Sequence, residues 1–216
     1  MIKKNKIESP LNEGVRVISL TDFVDFIHST GENRFSHVRK IKKRGVYDPR
    51  TDFWLKMRQA IIQHKSSGAL DFEIIEKLMR ELTDQKKRRN YGLVIDGYHK
   101  FVKRFKGQWL TPPRAFLELG NVRLNVNPEL GFKIGNRHIV VKLYFKSEAI
   151  TQSEARIALI AMEHVLTPHC NSTLETEFKL LDVRRNRLFT LPTDKDDLYS
   201  LFLMEQDNFI KIYKAV

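Results

Sequence analysis

Residues 115–145 read AFLELGNVRLNVNPELGFKIGNRHIVVKLYF. Apolar and polar side chains alternate through most of this stretch, and a period of two marks a strand with one buried face. Four segments carry it: Ala115 to Leu119, Val122 to Val126, Leu130 to Ile134 and His138 to Phe145. Gly120-Asn121 and Gly135-Asn136 fall between the members of each pair, and such dipeptides supply the positive-φ positions of a tight hairpin. The stretch predicts a β-meander, entered through Thr111-Pro112-Pro113, where the prolines exclude a helix.

On both sides the spacing changes to three and four. Downstream, Ala155, Ala158, Leu159, Met162 and Val165 predict a helix over 151–166. Phe178 to Phe189 reads as a strand interrupted at Arg184-Arg185-Asn186-Arg187, a hairpin tip. A last helix is expected over 194–206, and Phe209 to Tyr213 alternates like a short edge strand. Upstream, Tyr98, Phe101, Val102 and Phe105 share one face of a helix over 91–106. Ile75, Leu78, Met79 and Leu82 define another, capped by Asp71. Asp48-Pro49 offers an N-cap and a first-turn proline before Phe53, Trp54, Met57, Ile61 and His64, and Ser66-Ser67-Gly68 stops that helix. Ser19 to Asp22 carries capping chemistry ahead of Phe23, Val24, Phe26 and Ile27. Residues 31–47 read as loop.

The expected fold class is α/β in the α+β sense: an N-terminal helical region, then a small mixed sheet in α-β-β-β-α-β order with flanking helices. The parts are a basic tail over 1–14, a helical basic region over 15–90 and an α/β core over 91–216, compatible with one compact domain.

The formal net charge is +12, and it is unevenly placed. Residues 1–108 hold 24 basic and 13 acidic side chains, whereas 109–216 hold 14 and 13. Such a division points to a polyanion-facing region on a near-neutral scaffold, and nucleic acid is the commonest such partner. The single cysteine, Cys170, forbids an internal disulfide, which fits a reducing compartment. The charged residues Met1 to Lys6 precede no apolar run of leader length, and no apolar stretch is long enough to span a bilayer. A soluble, cytoplasmic protein with no membrane partner is expected.

The positive charge is clustered. Arg34 to Arg44 includes Arg39, Lys40, Lys42, Lys43 and Arg44; Lys86-Lys87-Arg88-Arg89 lies between two predicted helices; and Lys100, Lys103 and Arg104 line the polar side of the helix whose other side is Tyr98, Phe101 and Phe105. These twelve residues are the candidate nucleic-acid contacts, DNA or RNA. They would position a phosphate backbone without reading its sequence, and they need no cofactor to do so. The aromatics of the last cluster are at core spacing and read as packing.

The order helix, meander, helix, strand resembles the core of the PD-(D/E)XK nuclease superfamily. In that family a proline–acid pair and an acid-x-lysine on the next strand build a divalent-metal site. Pro128-Glu129 matches the first element, Lys142 follows thirteen residues later, and Glu118 on the first strand is an additional acid. The resemblance implies catalytic roles for Glu118, Glu129 and Lys142, with Glu118 and Glu129 as ligands of Mg2+. The sequence departs from the pattern at Val140, two residues before Lys142, where the family has a carboxylate. Glu154 is a conceivable replacement ligand. A nuclease-like but catalytically degenerate core, working as a nucleic-acid-binding accessory subunit in a protein complex or homo-oligomer, is the leading expectation. A Mg2+-dependent nuclease and a module binding an acidic protein are the alternatives.

Other chemistry finds little support. His164, His169 and Cys170 do not match a zinc spacing, and phosphate-loop and dinucleotide fingerprints are missing.

Overall fold

A computed structural model describes residues 15–45 and 47–216; the tail expected over 1–14 lies outside them. The elements in chain order are β1 (Arg16–Ser19), α1 (Leu20–His28), α2 (Glu32–Lys43), a 3-10 turn (Pro49–Thr51), α3 (Leu55–Ser66), α4 (Glu73–Glu81) and α5 (Gln85–Arg104). There follow β2 (Gln108–Trp109), β3 (Ala115–Leu119), β4 (Val122–Val126), β5 (Leu130–Ile134), β6 (Arg137–Tyr144), α6 (Gln152–Leu166), β7 (Glu175–Asp182), β8 (Arg187–Thr190) and α7 (Asp196–Ala215). The fold is α+β, with mixed sheets.

The meander does not stay in one sheet. The β3–β4 hairpin joins β1 in a three-stranded sheet of order β1-β4-β3, in which β1 is parallel to β4. The β5–β6 hairpin belongs to a five-stranded sheet of order β2-β5-β6-β7-β8, with β6 and β7 parallel and the other pairs antiparallel. The chain changes sheets at Asn127-Pro128. Proline brings no N–H to continue the first ladder, and the next N–H, that of Glu129, already bonds the Val141 carbonyl of the second sheet at 3.2 Å. Gly120 and Gly135 sit at φ +63° and +60°, as the two hairpins require. In the five-stranded sheet the α-β-β-β-α-β order therefore runs α5, β2, β5, β6, α6, β7, with β3–β4 as an excursion.

Alternation along β6 divides the interior in two. Ile139, Val141 and Leu143 pack with Met57, Ile61, Tyr91, Val94, Tyr98 and Phe101 of α3 and α5. Val140 and Tyr144 pack on the other side with α6, whose Ala155, Ala158, Leu159 and Met162 are buried. That second layer also holds α1, α7, the three-stranded sheet and, through Val38 and Ile41, α2. The boundary drawn at residue 90 falls inside α5.

Four local expectations need correction. Most of the loop expected over 31–47 is helix: α2 forms over Glu32–Lys43 on only two fully buried apolar residues, Val38 and Ile41, with no side-chain cap at Gly31, so its periodic signal is faint. Asp48-Pro49 opens only a 3-10 turn, Asp48 accepting from the Arg50 N–H, and the α-helix begins six residues later. Lys86 to Arg89 do not lie between helices; Asp84 accepts from the Lys87 N–H and starts α5 ahead of them. Phe209 to Tyr213 is helix rather than edge strand, since Phe209 is buried and Tyr213, one turn on, stacks against it at 6.1 Å.

Candidate functional site: a closed carboxylate–lysine pair and two basic stripes

Glu129 and Lys142 meet. Glu129 precedes β5, Lys142 points from β6, and the β5–β6 ladder brings their side chains together. The ammonium donates to Glu129 Oε1 at 2.7 Å and lies 3.3 Å from the Asn127 carbonyl. Glu129 Oε2 accepts the Leu143 N–H at 2.8 Å, and Arg58 Nε of α3 approaches Oε1 at 3.5 Å. Glu129 is only 3% exposed, and Lys142 is also buried. Both carboxylate oxygens are thus engaged by donors inside the protein.

Glu118 is elsewhere. It stands on the outer face of the three-stranded sheet, exposed, and its Oε1 pairs with Arg123 Nε at 2.6 Å. No hydrogen bond or ion pair joins it to Glu129 or Lys142 among the described residues. Glu154 is likewise committed, to His28 Nδ1 at 2.7 Å and to the N–H of Thr151 in the capping box of α6. Among the described residues no three His, Cys, Asp or Glu side chains converge as metal ligands. A divalent cation at Glu129 would have to displace Lys142 and a backbone N–H from a buried carboxylate without gaining a second one. The residues present do not fit the Mg2+ site that the resemblance implies.

The carboxyl ends of β6 and β7 carry a dense polar belt that sequence reasoning left unassigned. Asp25 of α1 pairs with Lys146, and burial raises its pKa against the pull of that lysine. Arg185 pairs with Asp182 at 3.1 Å and Arg184 Nε donates to the Phe145 carbonyl at 2.7 Å. Arg184 also bonds Asn90 of α5 and lies over the Trp54 ring at 5.4 Å. The hairpin tip expected at 184–187 is present, with Asn186 at φ +49°. Its arginines tie loops and helix starts to the sheet.

The twelve candidate phosphate contacts separate by what each one touches. Arg44 forms a two-pronged pair with Asp22, at 2.8 and 3.2 Å. Although burial pushes the Asp22 carboxyl up, that guanidinium and the Ser19 N–H hold it below its ordinary value. Lys42 donates to the Tyr213 carbonyl at 3.1 Å and lies over that ring. Lys87 lies over Phe53. The others, Arg39, Lys40, Lys43, Lys86, Arg88, Arg89, Lys100, Lys103 and Arg104, are exposed and make no side-chain hydrogen bond or ion pair among the described residues.

Seven of these nine fall on two helical faces. Lys86, Arg89, Leu93, Asp96, Lys100 and Lys103 recur at three- and four-residue spacing along α5, forming one exposed stripe opposite the buried Tyr91, Val94, Tyr98 and Phe101. A helix of 20 residues is about 30 Å long. On α2, Ser36, Arg39, Lys40 and Lys43 make a shorter stripe opposite Val38 and Ile41, and with Arg44 they line a shallow depression of about 450 Å3. The position of α5 is fixed by Gly97, where a Cβ would come within 1.6 Å of the Val183 carbonyl oxygen. No other residue lets the helix lie so close to the end of β7.

No known family's sequence profile matches the chain, and no curated protein matches it. Among solved structures it is similar to the crystal structure of a protein from Eubacterium rectale named provisionally as an exonuclease. The identity is 14% over 92% of this chain and 80% of that one, with a TM-score of 0.48, a likeness too slight to place the chain in a family.

Proposed function

We propose that the chain binds nucleic acid through the outward stripe of α5, and that Glu129–Lys142 is an internal tie of the sheet rather than a metal site. The observation that carries this reading is the stripe itself. Lys86, Arg89, Lys100 and Lys103 stand on one exposed helical face with a single acid, Asp96, among them. A row of exposed cations at helical spacing, unpaired among the described residues, fits a phosphate backbone, because each phosphate it neutralises releases condensed counterion. The element order α5, β2, β5, β6, α6, β7 is compatible with a nuclease-like core in which binding persists and the carboxylate chemistry has been closed off.

The test is fluorescence anisotropy with a 20-base-pair duplex across a salt series. Four phosphate contacts give a slope of log affinity against log salt of about −3.6, or roughly a 150-fold loss between 50 and 200 mM salt. Replacing one stripe cation by alanine lowers the slope by about one unit. An affinity that does not change with salt overturns the reading.

A further inference from the structure

The two basic stripes do not belong to one surface. The buried side of α5 faces the α3–α5 layer on one side of the five-stranded sheet, and the buried side of α2 joins the α6–α7 layer on the other. In each helix the cations occupy the face opposite the buried one, so each stripe lies on the solvent side of its own layer. Between them lie the sheet and at least one helix thickness on either side, roughly 25–30 Å of protein. Two acids beside α2 are used elsewhere, and Glu32 in its first turn stands exposed on the same face as Arg39 and Lys43. Asp22 is taken by Arg44, and Glu205 of α7 is taken by Arg34 at 3.0 Å. Arg39, Lys40 and Lys43 are exposed and make no side-chain ion pair among the described residues.

We propose that the protein carries two separate polyanion-binding faces, the α5 stripe and the α2 stripe, and joins two nucleic-acid segments on one chain. This rests on the nucleic-acid reading above and goes beyond it. A single straight segment running along α5 cannot also lie on α2, because the sheet and its helices stand between. The α2 face, with three exposed cations against four, is the weaker one. Its salt slope is about −2.7, against about −3.6 for α5.

The experiment uses the full chain and two 14-base-pair duplexes, one labelled with a donor fluorophore and one with an acceptor. Mass photometry counts duplexes per chain, and energy transfer reports joining. The parent protein is expected to bind two duplexes per single chain at low salt and to give transfer. An α5 variant (Lys86→Ala, Arg89→Ala, Lys100→Ala, Lys103→Ala) and an α2 variant (Arg39→Ala, Lys40→Ala, Lys43→Ala) are each expected to bind one duplex and lose transfer. All seven side chains are exposed, and circular dichroism confirms that the variants fold. One duplex per chain at saturation, loss of the same single site in both variants, or transfer only in particles holding two chains overturns the proposal while leaving nucleic-acid binding in place. No duplex bound by the parent at 50 mM salt overturns the underlying reading.

Discussion

Replacing Glu129 by alanine removes the centre of a pair that the protein encloses. In the parent, Oε1 receives Lys142 at 2.7 Å and Oε2 receives the Leu143 N–H at 2.8 Å; the two side chains are 3% and 9% exposed. In the variant the ammonium keeps only the Asn127 carbonyl at 3.3 Å, and the Leu143 N–H loses its acceptor. Breaking a buried pair from one side costs about 3–5 kcal/mol, and the abandoned N–H alone accounts for about 1–3 of that. Arg58, 30% exposed and already paired with Asp52 at 3.1 Å, turns to water at little cost. The expected loss is about 4 kcal/mol, a large share of the ~5–15 kcal/mol that holds a domain folded. The double variant Glu129→Gln with Lys142→Met keeps an acceptor for Leu143 and buries no charge, so it should lie within about 2 kcal/mol of the parent. The double variant is then more stable than Lys142→Met alone, in which the Glu129 carboxylate is left without its cation, and two independently destabilising changes cannot produce that. Urea unfolding followed by circular dichroism at pH 7 measures all of these. A Glu129→Ala loss below 1 kcal/mol with unchanged m-value would refute the view of Glu129 as a structural tie. So would Mg2+-dependent cleavage that Glu129→Gln abolishes without loss of stability.

Gly97→Ala forces a Cβ onto the Val183 carbonyl, and α5 must move off the end of β7. A loss of about 3 kcal/mol in the urea transition is expected, and a neutral variant would mean that the close approach is not real. His64 and His138 are buried, and burial lowers the pKa of both rings. Unfolding therefore takes up protons as pH falls, so their contribution is full above the ordinary histidine value near 6.5 and is lost progressively below it. The urea midpoint should fall between pH 7.5 and 5.5, and less so in His138→Leu; equal pH dependence in the two proteins would contradict the burial of His138. Arg44→Ala should cost stability, through Asp22 and the Ser19 capping box of α1 that Asp22 completes, and leave duplex affinity within twofold. A tenfold loss of affinity would return Arg44 to the binding surface.

The sheet was more legible than the helices because a period of two repeats quickly and the hairpin glycines mark its turns. Ala115–Leu119, Val122–Val126 and Leu130–Ile134 form strands with the expected bounds. Sequence alone did not reveal that Pro128 hands the chain to a second sheet, because alternation says which side chains share a face and nothing about which sheet holds it. That handover separates Glu118 from Glu129. Two-residue β2 and four-residue β1 are too short to show a period, and they exist through pairing with β5 and β4. α2 was hidden because six of its residues from Arg34 to Lys43 are basic or histidine, and its stability comes from packing on α1 and α7. Glu129–Lys142 was legible as a spacing, whereas its closure by Leu143 and Arg58 was not, since both donors come from tertiary structure.

A last perturbation separates charge kept for binding from charge kept for folding. Lys86 is the second residue of α5, whose first turn holds no acid. A cation there opposes the helix macrodipole, and a carboxylate would be favoured by about 0.3–1 kcal/mol. Arg89 and Lys86 are also like charges one turn apart, which costs about 0.2–0.5 kcal/mol more. Lys86→Glu reverses both effects and should raise stability by about 1 kcal/mol. If the stripe binds phosphate, the same change places a negative charge in it, weakens duplex binding by tenfold or more and shortens the salt slope. Stability and affinity then move in opposite directions, as they do where a surface is kept for function at the expense of the fold. Urea unfolding and anisotropy on one preparation decide it. A variant that gains stability with unchanged affinity shows the α5 cations to be a solvated surface and removes the basis for nucleic-acid binding along this helix.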